Sequence, residues 1–319
     1  VEKLQSITKP FLMPTPYFAI SVGLAAIAIA WFKASYLWRG AEIVGTMLGL
    51  FATLFLVIFL ALYTYKIVAF HHQVEDEWNC PVRFSFLALI FISIMLVGDL
   101  LYHWKWYLFG EILVWLAVFG QLTYSLLRIG SLLTGNIFKD EAVQPPFYLP
   151  AVASNFTTGS SLAVLGYIDL AYLFFGAGFF AWLAFEPILL QRLRVAPLPV
   201  ATKGTIGIVL APAFVGVASY LTINGGHVDL FAKFLWGYGF LQFIFLLRIF
   251  PSLIKNGFSV GFWSFSFGLA SMANSAIAFY EQSQLTYLAL FSFVFANLMI
   301  LFLILGTVVK ILKRQFWLK

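Results

Sequence analysis

The chain reads as an all-α integral membrane protein: ten transmembrane helices, paired as five helical hairpins and closed into a quasi-fivefold ring. Three observations predict this. First, 62% of the 319 residues are hydrophobic and only 10% are charged, against roughly 25% charged in a soluble domain. Second, ten apolar runs are each long enough to cross a bilayer, which takes about 20 residues. Third, these runs alternate between small-residue and bulky composition, as copies of one hairpin would. Continuous apolar runs make helices; barrel strands would instead alternate at period two.

The runs cover 16–37, 41–68, 82–102, 106–131, 147–166, 169–191, 205–223, 228–250, 258–280 and 284–311. Run one carries "AISVGLAAIAIA" and run two the bulkier "LFATLFLVIFLALYTY". Run three opens on "PVRFSFLALI" and reaches "MLVGDLLY"; run four ends on "LLRIGSLL". Run five holds "LPAVASNFTTGSSLA" and run six "GYIDLAYLFFGAG". Run seven holds "LAPAFVGVASYL", run eight "LWGYGFLQFIFLL" and then "LLRIFPSLI". Run nine is "FSFGLASMANSA" within its span, and run ten is again bulky. Small residues let helix backbones approach closely, so the odd runs are expected inside the ring and the even runs against lipid or neighbouring subunits. The repeat is about one hairpin long, a scale common in membrane transport proteins. Aligned on their helix-loosening residue, the odd runs match at Pro150, Pro212 and Gly268, and the same register falls on Ser21 and Phe91. A proline in mid-span frees a carbonyl and bends the helix, which is tolerated where the segment is buried in protein or lines a water-filled cavity.

Charge sets the orientation. Of the 19 Lys and Arg residues, only Lys33, Arg39, Lys105 and Lys233 fall on one side. The rest include Lys3, Lys9, Lys66, Arg83, Arg128, Lys139, Arg192, Arg194, Lys203, Arg248, Lys255 and the cluster from Lys310 to Lys319. The positive-inside rule then puts both termini in the cytoplasm, and the net charge of +6 reflects topology and no nucleic-acid surface. No cleavable leader is evident at "VEKLQSITKP". The lone Cys80 excludes an internal disulfide. The segment "HHQVEDEWNC" is expected as a solvated cytoplasmic loop. Its His71, His72, Glu75, Asp76 and Cys80 form no recognised metal signature. Neither a phosphate-cradling glycine loop nor a hydrolase nucleophile motif is present, so an enzyme is not expected and no cofactor is implied.

The motifs "PVRFSFLALI", "MLVGDLLY", "FYLPAVASNFT", "GYIDLAYLFFGAG", "GIVLAPAFV", "LWGYGFLQ" and "FSFGLASMANSA" together resemble the tellurite-resistance/dicarboxylate transporter family, which takes in the plant guard-cell slow anion channels. The resemblance covers nearly the whole chain, in order. It implies one channel domain over residues 1–319, a central pore in each subunit, a homotrimer, and a location in the bacterial inner membrane. It also implies a phenylalanine plug on the ninth helix, within Trp, any residue, aromatic, any residue, Phe, then Gly or Pro. Here that pattern reads Trp263, Ser264, Phe265, Ser266, Phe267, Gly268, which makes Phe267 the gate, with Phe265 and Phe262 as register alternatives. Pore-lining or helix-kink candidates are Ala19, Ser21, Val22, Phe91, Pro150, Pro212, Phe265 and Gly268. Ala19, Ser21 and Phe91 depart from the family pattern, which has Gly or Pro at those places; Pro16 lies one turn before Ala19.

The pore runs carry almost no charge at mid-depth; Asp99 and Asp169 lie near the outer ends of their runs, while Glu111, Arg128, Glu186 and Arg248 sit on even runs. Interhelical pairing or snorkelling to the interface accounts for the latter, and Arg128 and Arg248 could also draw anions to the cytoplasmic mouth. An uncharged bore favours easily dehydrated anions, so the expected partners are small anions such as chloride and nitrate, together with membrane lipid. The alternatives are a proton-coupled dicarboxylate carrier or a tellurite or other oxyanion exporter, for which Asp99 or Glu186 would carry the proton. A scaffold for a soluble partner is compatible with the sequence, but no motif supports it.

Overall fold

In the computed structural model, the described residues are 13–135, 143–255 and 257–317, and all of their regular structure is helical. Lys3, Lys9, Lys139 and Lys319 lie outside them. Eight helices are long and apolar enough to cross a membrane. The two remaining expected spans are also helical, at Ser154–Val164 with its preceding turns and at Ser266–Gln282. They are the least apolar because Asn155, Thr157, Thr158, Ser160 and Ser161 fall on one, and Ser266, Ser271, Asn274 and Ser275 on the other.

The helices, in chain order, are α1 (Phe18–Ala34), α2 (Ala41–Ala69), α3 (His71–Asn79), α4 (Ala88–His103), α5 (Tyr107–Arg128), α6 (Ser154–Val164), α7 (Ile168–Val195), α8 (Ala211–Ile223), α9 (Leu230–Ile254), α10 (Ser266–Gln282) and α11 (Thr286–Leu312). Five antiparallel pairs form, α1–α2, α4–α5, α6–α7, α8–α9 and α10–α11. The first member of each pair packs on the first member of the next, and α10 packs back on α1. Burial separates the two sets. In the most apolar stretches of the spans containing α1, α4 and α8, 78–89% of residues are buried, against 22–39% in α2, α5, α7, α9 and α11. The outer helices instead turn Leu, Ile, Val and Phe outward, among them Phe51, Leu54, Leu116, Phe119, Leu173 and Phe180. An apolar exterior of that extent needs lipid or protein against it.

Every inner helix is entered through a non-α segment. These are 3₁₀ turns at Thr15–Tyr17, Arg83–Leu87, Pro145–Phe147, Val200–Leu210 and Val260–Phe265. Before α6 a π-helical turn, Leu149–Ala153, follows. Runs of 3₁₀ helix beyond three or four residues are uncommon, and the one from Val200 to Leu210 extends over eleven. The carbonyl that the turn at Pro150 leaves without its helical partner is satisfied from α5, by Gln121 Nε2 at 2.8 Å and Ser125 Oγ at 2.9 Å. Pro212 sits in the first turn of α8, directly after the 3₁₀ segment that ends at Leu210. It marks the change from 3₁₀ to α geometry within the span Thr202–Ile223.

The segment 71–79, expected as a loop, is the helix α3. The reason is Glu77, which turns inward and pairs with Lys66 Nζ at 2.6 Å, both side chains being buried. Thr15 Oγ1 donates to the same carboxylate at 2.9 Å, and Lys66 also donates to the Met13 carbonyl at 3.2 Å. The N-terminal entry, the end of α2 and α3 are thereby tied together. On the same side, the Tyr17 hydroxyl donates to the Phe316 carbonyl at 2.5 Å, and its ring stacks on Trp317 at 5.8 Å. The segment after α11 is thus anchored to the entry of α1.

Candidate functional site: two chambers and one ring

Two cavities lie between the inner helices. The one nearer the α1–α2 turn, here called outer, has a volume of about 280 Å³; the other, toward the described ends of the chain, about 440 Å³. Their walls follow helical stripes. On α1, Ala19 and Val22 line the inner chamber, and Ala26, Ile29 and Lys33 line the outer one. Steps of three and four residues keep all five on one face of the helix. Ala211 then Val215, Ala218 and Thr222 continue the pattern on α8. Along the 3₁₀ entry and α10 the stripe passes from Trp263 and Ser266, in the inner wall, to Phe267, Ser271 and Asn274.

Among the described residues, Phe267 is the one side chain that lines both chambers. It is 8% exposed, which places the ring in the protein interior and out of the lipid. The neighbouring phenylalanines point elsewhere. Phe265 packs against Gly207 and meets Phe250 edge-on at 6.4 Å. Phe262 meets Phe258 at 6.0 Å. Neither lines a chamber.

The other expected positions divide. Ala19 and Val22 line the inner chamber. Ser21 is buried against α2, its hydroxyl donating to the Ala52 carbonyl at 2.9 Å. Phe91 covers Gly120 on α5 and lies 6.0 Å from the Tyr124 ring, facing its own hairpin partner. Gly268 touches the segment leading into α8. Pro150 and Pro212 shape their helix entries and do not face either chamber. Of the positions matched by repeat register, Pro150 and Pro212 fall at a change of helix type, while Ser21, Phe91 and Gly268 lie within regular α-helix.

The outer chamber has a mostly apolar lining, into which two charged side chains, Lys33 and Asp99, are set. Lys33 Nζ donates to Asn274 Oδ1 at 2.8 Å and to Thr222 Oγ1 at 3.4 Å. Asp99 is 6% exposed; its Oδ2 accepts from Ser161 Oγ at 2.8 Å, and its Oδ1 has no partner among the described residues. The signal for Lys33 was present: it lies four turns from Ala19 on the same stripe. The inner chamber is bordered by two cations, Arg83 and Lys310, and by Thr202, Thr205, Ser259 and Ser264. Arg128, expected as a possible attractor, is instead covered by the Trp78 and Phe84 rings, 5.4 and 4.8 Å from its guanidinium carbon.

Glu186 lies outside both chambers. It is half-buried on α7 and surrounded by donors: the Tyr148 hydroxyl, Trp182 Nε1 at 2.8 Å, the Tyr238 hydroxyl at 2.5 Å and Gln242 Nε2 at 3.1 Å. Its oxygens bind hairpin three to hairpin four.

Apolar spanning helices that enclose two interior chambers define an integral membrane protein of the channel and transporter class. The particular family follows from comparison: residues 13–308 match the family described as voltage-dependent anion channel (SLAC1), and the chain belongs to that family. It is 53% identical over 314 residues to the tellurite resistance protein TehA homolog of Haemophilus influenzae, covering 98% of this chain and 95% of that one. A transporter of Methanocaldococcus jannaschii described as uncharacterized is 23% identical, covering 83% of this chain and 84% of the relative. The S-type anion channel SLAH2 of Arabidopsis thaliana is 21% identical, covering 86% of this chain and 54% of the plant protein.

Proposed function

We propose that this chain is an anion channel of the bacterial inner membrane. It conducts chloride, nitrate and similar monovalent anions through one conduit per subunit, which Phe267 closes. In this reading residues 1–319 form one channel domain of ten transmembrane helices, set as five hairpins about a quasi-fivefold axis. Both termini face the cytoplasm, and the subunits associate as homotrimers through the apolar outer helices. Support comes from the family, from the unbroken succession of inner-helix contacts and from the excess of Lys and Arg on one side. The observation that carries the reading is that, among the described residues, Phe267 alone borders both chambers. A hydrophobic constriction of this kind blocks ions by occlusion and dewetting.

The test is Phe267→Ala in planar bilayers or oocytes. A large rise in anion current at unchanged expression is the expected result; unchanged current in a well-expressed variant rejects the gate. A second reading, a proton-coupled dicarboxylate carrier or an oxyanion exporter, is favoured by one observation. Asp99, a buried carboxyl, stands in the wall of the outer chamber. Anion flux into proteoliposomes that follows an imposed pH gradient would establish the carrier and displace the channel.

A further inference from the structure

Lys33 is a half-buried ammonium held by two neutral acceptors. Among the described residues no carboxylate comes within 4.0 Å of it, although Asp99 lines the same chamber. An ammonium has three protons to donate, and Asn274 and Thr222 take two. Burying a cation without a counter-charge is costly. The other titratable groups around this chamber are Tyr36, Tyr102 and His103, and His103 already faces Glu42 at 3.0 Å. None of them neutralises Lys33. The chamber, at about 280 Å³, has room for a partly hydrated ion.

We infer that the outer chamber holds a small monovalent anion against the third N–H of Lys33, with Ser271 beside it, and that this site selects anions over cations before they reach Phe267. Asp99 is the counterweight. Ser161 ties one of its oxygens back, so it stays apart from the ammonium instead of forming an ion pair that would cancel the site. A site of this design binds weakly, as conduction requires: an ion must enter readily and also leave. The selectivity role rests on the channel reading above; the binding site does not.

Two experiments separate these. Crystals of the purified protein soaked in bromide are expected to show anomalous density beside Lys33 Nζ, lost in Lys33→Met and kept in Lys33→Arg. Wild-type crystals without that density overturn the site whatever the channel does. In the Phe267→Ala background, Lys33→Met is expected to lower the chloride-to-sodium permeability ratio by on the order of tenfold, as loss of a focusing charge would. Lys33→Arg is expected to restore it, and Asp99→Asn to keep or raise it. If Lys33→Met leaves the ratio unchanged, or Asp99→Asn lowers it as much as Lys33→Met does, the selectivity role is overturned. If Phe267→Ala itself passes no current, the gate reading fails and the bromide density alone decides the site.

Discussion

Gly268 lies so close to Leu210 that a methyl group placed on it would fall 2.6 Å from the Leu210 Cβ and 3.1 Å from its carbonyl carbon. The residue after the ring that borders both chambers is therefore the point where α10 meets the segment entering α8. Backbone crowds this site, so a flexible side chain cannot absorb the strain.

Gly268→Ala is accordingly expected to push α10 off α8 and lose about 1–3 kcal/mol of stability, the usual cost of overpacking. Because Phe267 rides on the same turn, its ring should shift too. The measurements are thermal unfolding in detergent and basal anion flux. A variant that keeps both at wild-type values contradicts the tight approach.

A graded series at Phe267 is expected to follow side-chain bulk. Leu should leave a residual block, and Val and Ala progressively less of one, in the order of apolar volume across the constriction. Single-channel recordings read the conductance directly. A conductance order unrelated to size would mean that the ring acts by something other than filling the bore.

Glu186→Ala is expected to lower thermal stability by about 1–3 kcal/mol, because it strands donors that converge on one carboxylate. In the Phe267→Ala background the ion permeability ratios should stay unchanged. Loss of coupling to a pH gradient on this substitution would instead place Glu186 on a proton route.

Removing one partner of the buried Lys66–Glu77 pair should cost about 3–5 kcal/mol, since it leaves an uncompensated charge. Lys66→Met is the informative variant. Lys66→Met with Glu77→Gln should recover part of that loss, and a double-mutant cycle followed by thermal unfolding measures it.

Asp229 caps α9, its carboxylate accepting from the Ala232 N–H at 2.9 Å and from the Tyr220 hydroxyl. Slight burial pushes its titration up, but these hydrogen bonds pull it further down, below the usual aspartate range. Its contribution is present at neutral pH and is lost as the pH falls through its lowered folded-state value, beneath ~3.9. Asp229→Ala should cost about 1 kcal/mol at neutral pH, in line with other N-caps, and that deficit should shrink in acid. Thermal unfolding across the pH series checks the sign.

The membrane class and the span limits were legible because a bilayer demands length and apolarity of every crossing segment. The inner and outer sets were legible from residue size. What composition could not show was azimuth. Lys33 and Asp99 read as end charges because position along a helix is explicit in sequence, whereas the face they share depends on which neighbours pack there. Phe91 and Ser21 fall at the right depth on faces turned to α5 and α2. Glu186 read as a proton-carrier candidate because its donors Tyr148, Tyr238 and Gln242 come from segments far away in the chain. The helix α3 was hidden for a similar reason: its polar residues look solvated until Glu77 finds Lys66.

The contact of α10 with α1, reinforced where Tyr17 holds Phe316, joins the first described hairpin to the fifth, which is made after it. During synthesis the flank of α1 that will receive α10 has no protein cover while four hairpins emerge. Until then Lys33 also lacks Asn274, one of its two acceptors. A ribosome stalled before the fifth hairpin would thus leave an open, polar-edged arc in the bilayer, a substrate suited to membrane quality-control proteases.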